Sequence, residues 1–213
     1  MVNRLLTRWL MAGILLVLIP LTCHAVETVS RYDLLLEKVK AGNPAADFGT
    51  LRSAYAASPH YRPFDKDRSK LKNAMFRAMA GKDYAAVVGR AEKVLSDDYV
   101  DIDAHVIAAR EYARMGADKE ADFHRAVARG LLDSIRDSGD GRTPETAYRV
   151  ISVDEEYALI SSLNLKRGKQ AQERLNGHDY DRVIVTDRNG GKPYDLYFNI
   201  DIPYAWLRKS LMK

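Results

Sequence analysis

Apolar residues recur every three to four positions from residue 30 to residue 136, and from Thr146 onward the pattern shifts to alternation. The first period belongs to helices with one buried face and the second to strands, so the chain reads as a helical part followed by a sheet part. Ser30 is placed to cap a helix carrying Leu34, Leu35, Leu36 and Val39, which Gly42-Asn43-Pro44 stops. Asp47 caps a second helix with Phe48, Leu51 and Tyr55 on one side. Between Ser58 and Asp65 two prolines impose extended backbone. This connector offers Tyr61 and Arg62 as polar handles, although the favoured reading is a rigid link that packs Tyr61 and Phe64 onto helices.

The stretch Leu71–Ala128 repeats. Sliding it against itself by 34 residues lays Ala74 on Ala108, Met75 on Ala109, Ala78 on Tyr112, Val87 on Ala121 and Val94 on Ala128. Each copy reads helix, turn, helix, broken at Gly81 in the first and at Met115-Gly116 in the second. Such a period resembles a tetratricopeptide array, with Ala74, Ala108 and Ala121 as the small residues that let helix axes approach. The match is degenerate: His105 stands where that pattern prefers Trp, Asp122 where it prefers an apolar residue, and no Pro closes either unit. Two units are fewer than such arrays need, so the flanking segments are expected to cap both ends.

After Ile135 the helical pattern stops at Asp137-Ser138-Gly139-Asp140-Gly141-Arg142-Thr143-Pro144-Glu145. With Gly141 as the turn glycine of a calcium loop, the ligand positions fall on Arg136, Ser138, Asp140 and Ala147. Only Asp140 is a strong ligand, so the segment reads as a tight turn in which Gly139 and Gly141 take unusual dihedrals. Ala147–Val153 then alternates as a strand, and Asp154-Glu155-Glu156 opens a short helix with acids in its first turn. Three more strands follow at Leu165–Leu175, Asp179–Asp187 and Tyr194–Ile200, joined through Asn176-Gly177 and Asn189-Gly190-Gly191. The fold class expected is α+β: helical hairpins packed on an antiparallel meander of about four strands. Residues 1–25 read as a signal peptide, 26–136 as the helical region and 137–213 as the sheet region of the same globular unit. Pro203–Lys209 reads as a short helix returning Trp206 to the sheet.

The amino terminus changes the bulk properties. Arg4 and Arg8 precede the apolar run Trp9–Leu21, and Cys23-His24-Ala25 forms a small-x-small cleavage site before Val26. That run is short for a membrane span, which takes about 20 residues. Lipid attachment at Cys23 is the second choice, because Thr22 is a poor fit before a lipidated Cys. Cleavage takes Arg4 and Arg8 with it, lowering the formal charge from +4 to about +2, so the basic balance does not point to nucleic acid. It also removes Cys23, the one cysteine, and with it any disulfide or thiol nucleophile.

Ser138-Gly139-Asp140-Gly141-Arg142-Thr143-Pro144-Glu145-Thr146-Ala147-Tyr148, then Asp154-Glu155-Glu156-Tyr157, Asn176-Gly177-His178 and Leu196-Tyr197-Phe198-Asn199-Ile200-Asp201, resemble the markers of a family of exported bacterial proteins. That family is catalogued only as a domain of unknown function and is familiar from Bacteroidetes-type genomes. The resemblance implies a periplasmic or envelope location and the helices-then-sheet layout. It supplies no catalytic residues.

The residues themselves supply none either: no serine elbow, phosphate loop or dinucleotide fingerprint occurs. His105 and His124 fall on different helices, each without a second ligand at metal spacing on its own face. No cofactor or metal is assigned. Candidate ligand-binding residues are Tyr61, Arg62, Asp140, Arg142, Glu155, Glu156 and His178. The function expected is a non-enzymatic module that holds a protein or peptide, with the polar segment Lys166–Glu173 as the exposed sheet edge. The rival expectation is a small hydrolase or carbohydrate-binding protein, which requires Asp140, Glu155, Glu156 and His178 to share one cleft between helices and sheet.

Overall fold

Side-chain caps start most of the helices. The computed structural model describes residues 30–42, 46–81 and 83–212, so the segment expected to be a signal peptide, with Cys23, and the expected Asn43-Pro44 stop lie outside the described residues. The helical part comprises α1 (Arg31–Lys40), α2 (Phe48–Ala56), α3 (Lys66–Ala78), α4 (Tyr84–Asp97), α5 (Ile102–Arg114) and α6 (Asp118–Arg136). Ser30 and Asp33 form a reciprocal capping box on α1. Asp47, Asp65, Asp83 and Asp101 accept first-turn amides on α2, α3, α4 and α5. Each such cap is worth about 1 kcal/mol.

Consecutive helices from α3 to α6 pack side by side. Met75, Val87, Ala91, Val94, Leu95, Ala104, Ile107 and Ala108 form one cluster between them. The 34-residue correspondence is visible in burial: Val87 and Ala121 are each 1% exposed, and Val94 and Ala128 are 0% and 4% exposed. These two pairs of like positions are buried alike.

The sheet part contains β1 (Tyr148–Arg149), α7 (Val153–Ser162), β2 (Leu165–Leu175), β3 (His178–Asp187), β4 (Tyr194–Asn199) and α8 (Asp201–Leu211). Its order is β1-β4-β3-β2. β2, β3 and β4 make the expected antiparallel meander, but β1 runs parallel to β4, so the sheet is mixed rather than wholly antiparallel. The cause is local. Ile151 donates its N–H to Glu155 (2.8 Å) and its carbonyl accepts from the Tyr61 hydroxyl (2.5 Å), which ends β1 after two residues. The chain then leaves the sheet through α7 and re-enters at the far edge. A parallel partner is what such a crossover permits.

Asn176 and Gly177 both take positive φ (51° and 86°), the pair of dihedrals a two-residue hairpin turn requires. In the glycine loop only Gly141 has a positive φ, +68°. Gly139 is needed for room instead, since a Cβ there would lie 2.2 Å from the Thr146 carbonyl oxygen. The Gly141 carbonyl accepts from Tyr197 N at 2.8 Å, fastening the loop to β4. Gly141→Ala is expected to cost about 2 kcal/mol or more, because left-handed backbone is combined with a clash against the Tyr148 ring. A urea denaturation midpoint would register it.

The inner face of the sheet, with Val183, Val185, Leu196 and Phe198, joins Leu159 and Ile160 of α7 and Leu51, Leu131 and Ile135 of the helices in one buried cluster. This continuity is what makes the fold α+β. α8 begins at Asp201, ahead of the expected Pro203, and Trp206 lies 6.2 Å from the Phe64 ring of the connector.

Candidate functional site

Charges meet where the helices join the sheet. Arg52 on α2, 5% exposed, donates from Nε and Nη2 to the two oxygens of Glu155 (2.7 and 2.6 Å), and from Nη2 to the Arg149 carbonyl. Lys72 on α3 reaches Asp101 (2.8 Å), Asp103 (3.2 Å) and Asp154 (2.8 Å). Burial works against its ammonium charge, but the three carboxylates outweigh this and raise Lys72 above the usual lysine range. Arg68 donates to Asp98 (2.7 Å) and to the Tyr55 hydroxyl (2.8 Å). The cavity these groups surround is about 20 Å³, room for roughly one water.

The seven candidate residues from the sequence do not share one site. Tyr61 is buried, its hydroxyl spent on Ile151, while the exposed Arg62 lies 3.5 Å from both Asp65 and Asp97. Asp140 closes its own loop by accepting from Arg142 N (2.9 Å) and the Thr146 hydroxyl (2.6 Å). The Arg142 guanidinium sits 4.4 Å over the Tyr194 ring. His178 pairs with Asp201 at 2.6 Å. Glu155 and Glu156 are neighbours with different partners, the first on Arg52 and the second against Asp181 of β3. Asp140, Glu155, Glu156 and His178 thus stand in separate surroundings.

Glu156 is 0% exposed and neither carboxyl oxygen has a hydrogen-bonding donor among the described residues, while Asp181 is 1% exposed and accepts from Gln170 on one oxygen (2.6 Å). Burial first, then the charge and hydrogen bond of Asp181, push Glu156 up to about 9. Two carboxyls this close share a proton rather than both ionise. The structure also brings together two histidines that spacing kept apart: His105 Nδ1 and His124 Nδ1 are 2.9 Å from each other, with Glu92 of α4 3.2 Å from His124 Nε2. His105 Nε2 meets the Tyr99 carbonyl at 2.9 Å, and burial lowers His105 to about 4. Among the described residues no group of three or more His, Cys, Asp or Glu side chains is arranged to hold a metal ion.

One open surface is different in kind. Val106, Ala109 and Ala113 of α5 and Ala128 of α6 floor a groove flanked by Arg110, Arg114 and Arg125. Val106 is 48% exposed. Glu111 of α5, 1% exposed, accepts from Arg110 Nη2 at 2.6 Å and from Arg114 Nη1 at 3.1 Å. The Arg114 guanidinium also lies 5.3 Å over the Tyr84 ring, and Arg125 pairs with Asp122. A guanidinium carries five N–H donors, so both arginines keep donors beyond those Glu111 accepts. The buried carboxylate holds them in place before any ligand arrives. None of these seven groove residues was among the sequence candidates. The signal was present in the repeat, where Arg110, Arg114 and Arg125 replace Phe76, Ala80 and Ala91. The expected sheet edge is real, since β2 is the last strand in the order and mostly exposed.

The molecule is therefore an α+β protein whose stacked helices carry an arginine-flanked groove and whose mixed sheet shares their core. Over residues 25–206 the chain matches the family described as "Domain of unknown function (DUF4919)", and it belongs to that family. No curated protein and no solved structure matches it.

Proposed function

We propose that this protein is a non-enzymatic binding module of the bacterial envelope, whose helix pairs form a tetratricopeptide-like stack that holds a segment of a partner protein. The observation that carries this reading is the α5–α6 groove: a floor of small side chains in which Val106 and Ala113 are exposed beside the buried Ala109 and Ala128, with guanidinium groups fixed along it. Small side chains leave room for a polypeptide, and pre-set polar groups orient it at little entropic cost. A hydrolase or sugar site between helices and sheet is less well supported, because the cavity there is filled by paired charges.

Export rests on the arginine-led apolar run and the cleavage site before Val26. The mature protein is expected to begin at Val26, which the intact mass of protein purified from the native host would show; a mass retaining residues 1–25 contradicts the export reading. The groove is tested by placing a photo-crosslinking residue at Val106, with exposed Lys93 on α4 as the comparison position. Capture of one protein from Val106 and not from Lys93 is the expected result. Equal capture at both, or none at Val106, counts against a groove that holds a partner.

A further inference from the structure

The 34-residue repeat indicates what belongs in the groove. Ala109, Ala113, Arg125 and Ala128 are the counterparts of Met75, Met79, Ala91 and Val94 in the first unit. There the same face is covered: those four side chains pack in one cluster with Ala104, Ile107 and Ala108 of the following helix, α5. In the second unit Ala109 and Ala128 are buried but Ala113 and Arg125 are exposed, and among the described residues no following helix lines this face. α7 touches α5 and α6, but none of its residues lines the groove. The groove is thus the position of the next helix in the stack.

Charge narrows the occupant. In the first unit the α3 cation Lys72 grips Asp101, the α5 cap, and Asp103 in the first turn of α5. In the second unit Val106 takes the place of Lys72, but Phe76, Ala80 and Ala91 give way to Arg110, Arg114 and Arg125, so cations again face the position of the next helix. Glu111 and Asp122 offset part of that charge and leave the groove net positive. Arginine in a fixed orientation suits carboxylates, with two parallel hydrogen bonds to each. We infer that the groove takes an amphipathic, acidic helix of a partner protein, laid down as the next helix of the stack and held by Arg110, Arg114 and Arg125. This rests on the reading of the groove as a partner site and adds the partner's conformation and charge.

The test sequences the segment captured by the crosslinker at Val106, in the full chain and in the variants Ala113→Glu and Ala113→Lys. Ala113 is exposed, so either side chain is carried without repacking, and thermal melts of both variants confirm folding. The captured segment is expected to show apolar residues at i, i+3 and i+4 with Asp and Glu outnumbering Lys and Arg. Ala113→Glu is expected to lower capture about tenfold through like-charge repulsion, and Ala113→Lys to leave it within about twofold. A basic or proline-broken segment, or one from a second copy of this chain, overturns the inference while the groove remains a binding site. Equal loss in both variants has the same effect, since bulk rather than charge then matters. Absence of any capture at Val106 overturns the groove reading itself, and the inference with it.

Discussion

Arg52→Met is expected to lower stability by about 3–5 kcal/mol, seen as a large drop in the urea midpoint. The guanidinium binds both oxygens of Glu155, the Arg149 carbonyl and the Ser134 hydroxyl (3.2 Å), so one side chain ties α2 to α6, α7 and β1. Methionine replaces its volume but leaves the Glu155 carboxylate, 4% exposed, without a counter-charge. The size of the effect is the cost of that stranded ion rather than the worth of the pair. Adding Glu155→Leu to Arg52→Met is therefore expected to recover most of the loss. Full recovery is not expected, because Ile151 N would lose its acceptor, at about 1 kcal/mol. A double variant as unstable as the single one would show that the pair contributes through more than charge balance.

Glu156→Gln is expected to stabilise the protein at pH 8 and to leave it nearly unchanged at pH 5. The carboxyl of Glu156 stands near 9 in the folded chain against 4.5 for an ordinary glutamate. The folded state therefore binds the proton more tightly than the unfolded state does. Its contribution is whole below about pH 4.5 and declines as pH rises toward 9, at up to about 1.4 kcal/mol per pH unit. Glutamine has no proton to lose, and its amide can donate to the unsatisfied Asp181 oxygen. Denaturation midpoints from pH 5 to pH 9 should fall for the wild type and stay flatter for the variant. A variant less stable than wild type at pH 8 would contradict the shared proton.

The sequence disclosed the elements better than their arrangement. Helix boundaries were legible because Ser30, Asp47, Asp83 and Asp101 announce them chemically and because the helical period runs uninterrupted behind each. Asn176-Gly177 was legible for the same kind of reason, its two positive φ angles being costly for most other pairs. The place of β1 was not. Alternation in Ala147–Val153 predicts a strand but says nothing of its partner, and Tyr61 and Glu155, distant and adjacent in sequence, decide where it ends. Sites fared worse. Glu155 and Glu156 looked alike as a first-turn acidic pair, yet a step of one residue around a helix sends them to opposite electrostatic surroundings, one cationic and one anionic. His105 and His124 could not be paired from spacing within single helices, since their contact is made between α5 and α6. The groove arginines were hidden differently: scattered singly along two helices, they register as ordinary solvated charge until the packing aligns them.

The parallel pairing of β1 with β4 sets an order of assembly. Tyr148 and Arg149 find their ladder partners at Phe198 and Asn199, so synthesis must pass β4 before that seam can close. Until then the glycine loop, closed on itself through Thr146, lacks its anchor at Tyr197. The sheet is thus locked by a contact between segments some fifty residues apart, so β1 stays unpaired until the β2–β3–β4 meander has formed beside it.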